Sequence, residues 1–131
     1  MIQLSHYAKG AAFERQLRDL LRAKGLVVVR SASSGVDGLS PDLVVLSSRK
    51  KFAVECKAWK HGPSIEKPKI AIMREWQSGA GVPIYVAWKA PRREWKFFPL
   101  DALRETGMAC VIGDKDWGMG LTLEQVLDLR A

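Results

Sequence analysis

The stretch from Pro41 to Lys57, Pro-Asp-Leu-Val-Val-Leu-Ser-Ser-Arg-Lys-Lys-Phe-Ala-Val-Glu-Cys-Lys, limits what this chain can become more than any other. Asp42 to Leu46 is a short run rich in β-branched residues, Ser48-Arg49-Lys50 is polar enough to turn, and Lys51 to Lys57 alternates. That pattern predicts a β-hairpin. On its second strand Phe52, Val54 and Cys56 share one face while Ala53, Glu55 and Lys57 share the other, because successive side chains point to opposite sides. Glu55 and Lys57 therefore project together. Asp42 opens the preceding strand, so antiparallel pairing and local twist can bring it beside Glu55, gathering two carboxylates and an amine around one point.

Such a trio suits phosphodiester hydrolysis. Hard cations such as Mg²⁺ take oxygen ligands, usually one or two carboxylates with waters and phosphate oxygens. The ion polarises the phosphate and lowers the pKa of a bound water, and a neighbouring lysine orients that water or offsets charge in the transition state. Taken singly, an Asp after Pro is an ordinary turn residue and a Glu and a Lys two apart are an ordinary solvated strand face. Taken together, Pro-Asp, an interval of about a dozen residues and Glu-x-Lys resemble the PD-(D/E)xK pattern of the restriction-endonuclease-like superfamily.

Charge supports an anionic partner. The chain of 131 residues carries a net +7, with 21 Lys and Arg against 14 Asp and Glu. Residues 1–100 hold 18 of the basic and 8 of the acidic side chains, so the basic surface belongs to the part that carries the acids and lysine. Nucleic acid is the natural partner. No apolar run is long enough to span a bilayer, and Met1 to Gly10 lacks the apolar segment of a signal peptide, so a cytoplasmic protein without a membrane partner is expected. Cys56 and Cys110 form neither a metal-ligand spacing nor a disulfide framework, and are expected as buried free thiols. One domain over 1–131 is expected, with a catalytic core at about 8–100 and a closing segment over 101–131.

Along the chain, Tyr7 to Lys24 predicts a helix stopped by Gly25, with Phe13, Leu17, Leu20 and Leu21 as its apolar stripe. Glu14 falls on the margin of that stripe, and the residues alone favour a surface pair with Arg18 at i+4. Leu26 to Arg30 predicts a strand, and Ser31 to Ser40 a loop in which Ser33, Ser34 and Gly35 can present hydroxyls and N–H groups to a phosphate. Ala58 to Lys69 reads as a loop with a surface His61, running into a helix around Glu66 to Ser78 that Gly79 and Gly81 end. Strands follow at Pro83 to Lys89 and Trp95 to Pro99, joined by a turn whose Arg92 and Arg93, with Lys96 beyond, are candidate phosphate contacts. A helical turn over Asp101 to Glu105, a strand over Met108 to Ile112, a loop over Gly113 to Gly120 and a closing helix with Thr122 as N-cap complete the order.

With this order laid out, the chain resembles the archaeal-type Holliday junction resolvases. The resemblance rests on Lys9-Gly10 and Phe13-Glu14-Arg15, Gly25, Val28-Val29-Arg30-Ser31, Ser33-Ser34-Gly35, Pro41-Asp42, Val54-Glu55-Cys56-Lys57, Val86-Ala87-Trp88-Lys89 and Trp95-Lys96-Phe97-Phe98. It implies an α/β, restriction-endonuclease-like fold, a central mixed sheet flanked by helices. It also implies a Mg²⁺-dependent endonuclease, with Mn²⁺ able to substitute, that resolves four-way DNA junctions; the alternatives are a nuclease of the same fold acting on other DNA structures in repair or restriction, and a non-catalytic DNA-binding module of nuclease origin. Asp42, Glu55 and Glu14 would surround the metal, Lys57 would be the catalytic lysine and Ser34 the active-site loop serine, although Ser33 is equally placed for that role. Lys9, Arg15, Arg30, Ser33, Lys60, Arg92 and Arg93 would contact DNA. A homodimer is implied as well, for which Trp117, Met119, Leu121 and the final segment are candidate contacts.

Overall fold

The computed structural model describes residues 6–31 and 40–128, with side chains from Lys9 onward. Helix α1 covers His6–Ala23 and buries Leu17 and Leu21 completely, whereas Leu20, assigned to the same stripe, remains 43 % exposed. The helix ends as its sequence dictates: Gly25 takes φ +86, a left-handed conformation open to glycine, and lets the Leu26 N–H donate back to the Leu21 carbonyl. Strand β1 is Val28–Arg30, β2 is Leu43–Leu46 and β3 is Lys51–Lys57. β2 and β3 pair antiparallel as the predicted hairpin, with Leu43 opposite Val54 and Val45 opposite Phe52. Ser47 closes the turn, its hydroxyl donating to the Lys50 carbonyl and accepting from the Lys50 N–H.

The segment after β3 departs from the expected loop. Ser64–Glu66 forms a short strand, β4, and helix α2 runs over Lys67–Ala80 with Pro68 in its first turn. Gly79 lies inside the helix, and Gly81 at φ +67 ends it. Strand β5 is Ile84–Lys89 and β6 is Trp95–Pro99. The expected turn near Asp101 is a 3-10 helix at Leu100–Ala102, followed by strand β7 at Arg104–Glu105, where helix was expected, and by β8 at Ala109–Val111. A second 3-10 segment, Asp114–Met119, occupies the expected loop before helix α3 at Leu123–Asp128. Thr122 caps α3 reciprocally: its hydroxyl accepts the Gln125 N–H, and the Gln125 side chain accepts the Thr122 N–H.

The main sheet has five strands in the order β1-β2-β3-β5-β6 and is mixed, because β3 and β5 run parallel while the other pairs are antiparallel. The parallel pair requires a crossover, supplied by β4 and α2. A smaller antiparallel sheet, β4-β8-β7, was not foreseen. Two apolar clusters cover the two faces of the main sheet. Phe52, Val54, Tyr85 and Phe97 pack with Leu17 and Leu21 of α1 and Val126 of α3, while Ala53, Ile84, Val86 and Trp88 pack with Ile70 and Met73 of α2. Each fully buried Phe or Leu contributes on the order of 1.5–3 kcal/mol by leaving water. Cys110 is buried, and Cys56 is half-buried against the first cluster. Leu121 belongs to the core, since it packs on that cluster and exchanges backbone hydrogen bonds with Phe97; Met119 is 80 % exposed. Among the described residues no helix is long and apolar enough to cross a membrane.

Candidate active site

The carboxylates gather where β2 begins and β3 ends. Asp42 sits immediately before β2 in a bend, opposite Glu55 by continuation of the hairpin register. Its carboxylate accepts the Cys56 N–H at 2.8 Å, so the side chain is anchored to the strand that carries Glu55. Both acids are almost fully enclosed, at 7 % and 5 % exposure. Lys57 Nζ lies 3.8 Å from Glu55 Oε2. The other oxygen, Glu55 Oε1, is buried and has no hydrogen-bond partner among the described residues.

Two further elements border this sheet end. From α1, Glu14 accepts a hydrogen bond from Arg30 Nε of β1 at 3.1 Å, in a half-buried pair. Arg18, its expected partner, instead contacts Asp19. From α2, on the opposite face, Lys69 donates to the Ser40 carbonyl at 3.3 Å and its charge bears on Glu55. Lys69 is the site residue that sequence reasoning missed.

Electrostatics follow from crowding acids in a dry place. Burial, reinforced by the Asp42 charge, pushes the Glu55 carboxyl from the usual 4.5 up to about 7, against the opposing pull of Lys57 and Lys69. Burial and Asp42 also raise Glu14, which Arg30 partly offsets. The Cys56 thiol is pushed up by burial and the surrounding acids, which keeps it protonated and inert.

The donor set fits a hard divalent cation. Two enclosed carboxylates, one of which raises the cost of the other's charge, with a Glu55 oxygen that has no donor among the described residues, are what a cation would relieve. Among the described residues no three acidic, His or Cys side chains converge closely enough to chelate an ion alone. Mg²⁺ needs only one or two carboxylates, completing its shell with water and phosphate.

The remaining candidate residues spread around the site. Lys9, Arg15, Lys60, Arg92 and Arg93 are exposed. Because β3 and β5 run parallel, with Lys57 opposite Trp88, the β5–β6 turn bearing Arg92 and Arg93 lies at the same end of the sheet as the acids. Arg93 stacks on Trp117 at 4.6 Å, with Lys96 4.7 Å from the same ring. His61 is exposed and paired with Asp114. Ser33 and Ser34 lie outside the described residues.

A mixed five-stranded sheet flanked by helices, with Asp, Glu and Lys at one strand end, is the restriction-endonuclease-like nuclease fold. Within that class, the chain belongs to the archaeal Holliday junction resolvase (Hjc) family, which it matches over residues 5–131. It is 33 % identical over 121 residues to the crossover junction endodeoxyribonuclease Hjc of Archaeoglobus fulgidus, covering 91 % of this chain and 89 % of that one. The counterpart from Sulfurisphaera tokodaii is 31 % identical over 106 residues, covering 78 % and 73 %. The solved structure of the Archaeoglobus fulgidus Hjc, a Holliday junction resolvase from an archaeal hyperthermophile, superposes with a TM-score of 0.81 at 31 % identity, covering 88 % of this chain and 96 % of that one. Nucleases of this family use a divalent metal.

Proposed function

We propose that this chain is a Mg²⁺-dependent, structure-selective endonuclease that resolves four-way DNA junctions by paired, symmetric phosphodiester hydrolysis. The observation that carries the reading is the convergence of Asp42, Glu55 and Lys57 at one sheet end, with Glu55 Oε1 buried and unpartnered among the described residues. Asp42 and Glu55 would hold the ion, and Mn²⁺, which also accepts carboxylate oxygens, would substitute. Once bound, the ion supplies a polarised phosphate and a water of lowered pKa. Lys57 orients the attacking water or offsets charge as it develops on the phosphate. Glu14, held by Arg30, would add a third carboxylate around the metal, while the charge of Lys69 favours the ionised form of Glu55. Ser34 or Ser33 would add a hydroxyl from the preceding loop.

Lys9, Arg15, Arg30, Lys60, Arg92 and Arg93 offer phosphate contacts, so binding would follow the shape and backbone of the DNA rather than base edges. A four-way junction is approximately twofold symmetric, and two matched incisions need two active sites related by that symmetry. A homodimer supplies them, in a cytoplasmic, DNA-associated setting.

The test is cleavage of a labelled four-way junction beside a linear duplex of the same sequence, with Mg²⁺ or EDTA, over a salt series. Paired nicks on the junction alone, only with Mg²⁺, are expected. Affinity should fall by about 10³-fold or more between 50 and 200 mM salt if six or more phosphates are contacted. Equal cutting of the linear duplex would remove the junction assignment and leave the nuclease chemistry; binding without cutting under every condition would remove both.

A further inference from the structure

Trp59 is 42 % exposed, two residues beyond the catalytic lysine. An isolated exposed apolar side chain is ordinary. Trp59 differs in where it stands and how it is held. Lys57 Nζ lies over its ring, 5.2 Å from the centroid. Its backbone carbonyl accepts the indole N–H of Trp88 at 2.8 Å, and Trp88 is the β5 residue opposite Lys57. The loop backbone after β3 is thereby pinned to the neighbouring strand at the residue whose indole lies beside the ammonium group. Lys60, the next residue, is exposed. Basic residues interleaved with an exposed aromatic ring are how proteins engage a backbone and an unstacked base together.

We infer that Trp59 is a specificity-determining residue that stacks on a base exposed at the branch point, next to the phosphate that Lys57 serves. In a continuous duplex both faces of every internal base pair are covered by neighbours. At a branch point strands change partners, so opening the arms uncovers a base face there that an uninterrupted helix never offers. A ring about 5 Å from the lysine ammonium reaches the nucleotide flanking the scissile phosphate, and finds an uncovered face only at the branch. Stacking thus couples incision to the interruption in the helix, an attraction that basic residues alone do not provide, because phosphates line duplex and junction alike. This inference rests on the junction reading above.

The experiment compares wild type with Trp59→Leu, Trp59→Ala and Trp59→Phe, binding to a four-way junction and a linear duplex being measured with Ca²⁺ in place of Mg²⁺. The junction carries 2-aminopurine in a branch-point base pair, whose fluorescence is quenched by stacking on an indole. Loss of the aromatic face in Trp59→Leu and Trp59→Ala should weaken junction binding by about 5- to 100-fold, with duplex binding unchanged within about twofold. Quenching should be lost with them, and Trp59→Phe should restore most of the junction preference. Leu keeps the apolar cover, so a packing role would survive that replacement. If wild type prefers the junction and Trp59→Leu keeps both that preference and the quenching, the inference is overturned. It is also overturned if the variants lower junction cleavage, measured in parallel with Mg²⁺, with an unchanged junction-to-duplex binding ratio, since the ring would then act only by holding Lys57. If wild type binds junction and duplex equally, the junction reading falls and this inference falls with it.

Discussion

Asp42→Asn is expected to lower cleavage by about 10³-fold or more at saturating Mg²⁺, while junction binding in Ca²⁺ stays close to wild type. A bound cation contributes several kcal/mol of transition-state stabilisation, and an amide oxygen is a poor substitute for a carboxylate ligand. Asn is the informative replacement. Asp42 accepts the Cys56 N–H, a task that an amide oxygen performs nearly as well, whereas Asp42→Ala leaves that donor without its acceptor at a cost of about 1–3 kcal/mol. A loss seen with Ala alone would therefore mix chemistry with stability. Single-turnover cleavage and thermal unfolding of both variants separate the two, and cleavage by Asp42→Asn within tenfold of wild type would remove Asp42 from the metal site.

Glu55→Gln should be inactive and yet more stable than wild type in EDTA at alkaline pH. In the unfolded chain Glu55 ionises near 4.5, and in the fold burial and Asp42 hold its carboxyl up at about 7. Between those values the folded state keeps a proton that the unfolded state has released. Stability therefore falls as pH rises through that window, and the full penalty is present above pH 7. Gln carries no charge and escapes it. The expected gain at pH 8 is on the order of 1–3 kcal/mol, or roughly 5 °C in melting temperature, and it should vanish near pH 4. Saturating Mg²⁺ should reverse the order, because only the carboxylate gains from the ion. By the same linkage, apparent Mg²⁺ affinity of the wild type should rise with pH up to about 7 and then level off. Calorimetry at the two pH values, with and without metal, decides: a Gln variant that melts below wild type at pH 8 in EDTA would contradict the assignment.

The parts of this site that could be read from sequence are those written locally. The hairpin was legible because an apolar, β-branched run over Leu43 to Leu46 and the alternating Lys51 to Lys57 flank a polar turn, and the register of such a hairpin places Asp42 opposite Glu55. Glu14 was ambiguous. Helical periodicity set it on the edge of the apolar stripe, and only the family resemblance weighed against a surface pair with Arg18; its partner, Arg30, lies on a strand that helical spacing cannot see. Lys69 carried no signal at all. It reaches the acids because a parallel β3–β5 pair forces the chain over one face of the sheet and lays the start of α2 beside Ser40. Strand β4 was invisible for a related reason: Ser64-Ile65-Glu66 holds one apolar residue and is a strand only because β8 pairs with it. Leu20 shows the opposite error, since helical spacing reports which side of α1 is apolar but not where the sheet beneath it stops.

The turn at Ser47 to Lys50 has a meaning beyond closing a hairpin. Ser47 makes two side-chain hydrogen bonds to Lys50, and the Lys50 ammonium donates to the Val126 carbonyl of α3, so the turn is fixed from within and from the far end of the chain. Strand side chains repeat with period two, and a slip of a single residue would send Asp42 and Glu55 to opposite sides of the sheet with both acids still present in the chain. For an evolving lineage, a one-residue insertion or deletion in this surface turn would therefore be as direct a route to a pseudoenzyme as the loss of Asp42 or Glu55, and it would leave the signature motif intact.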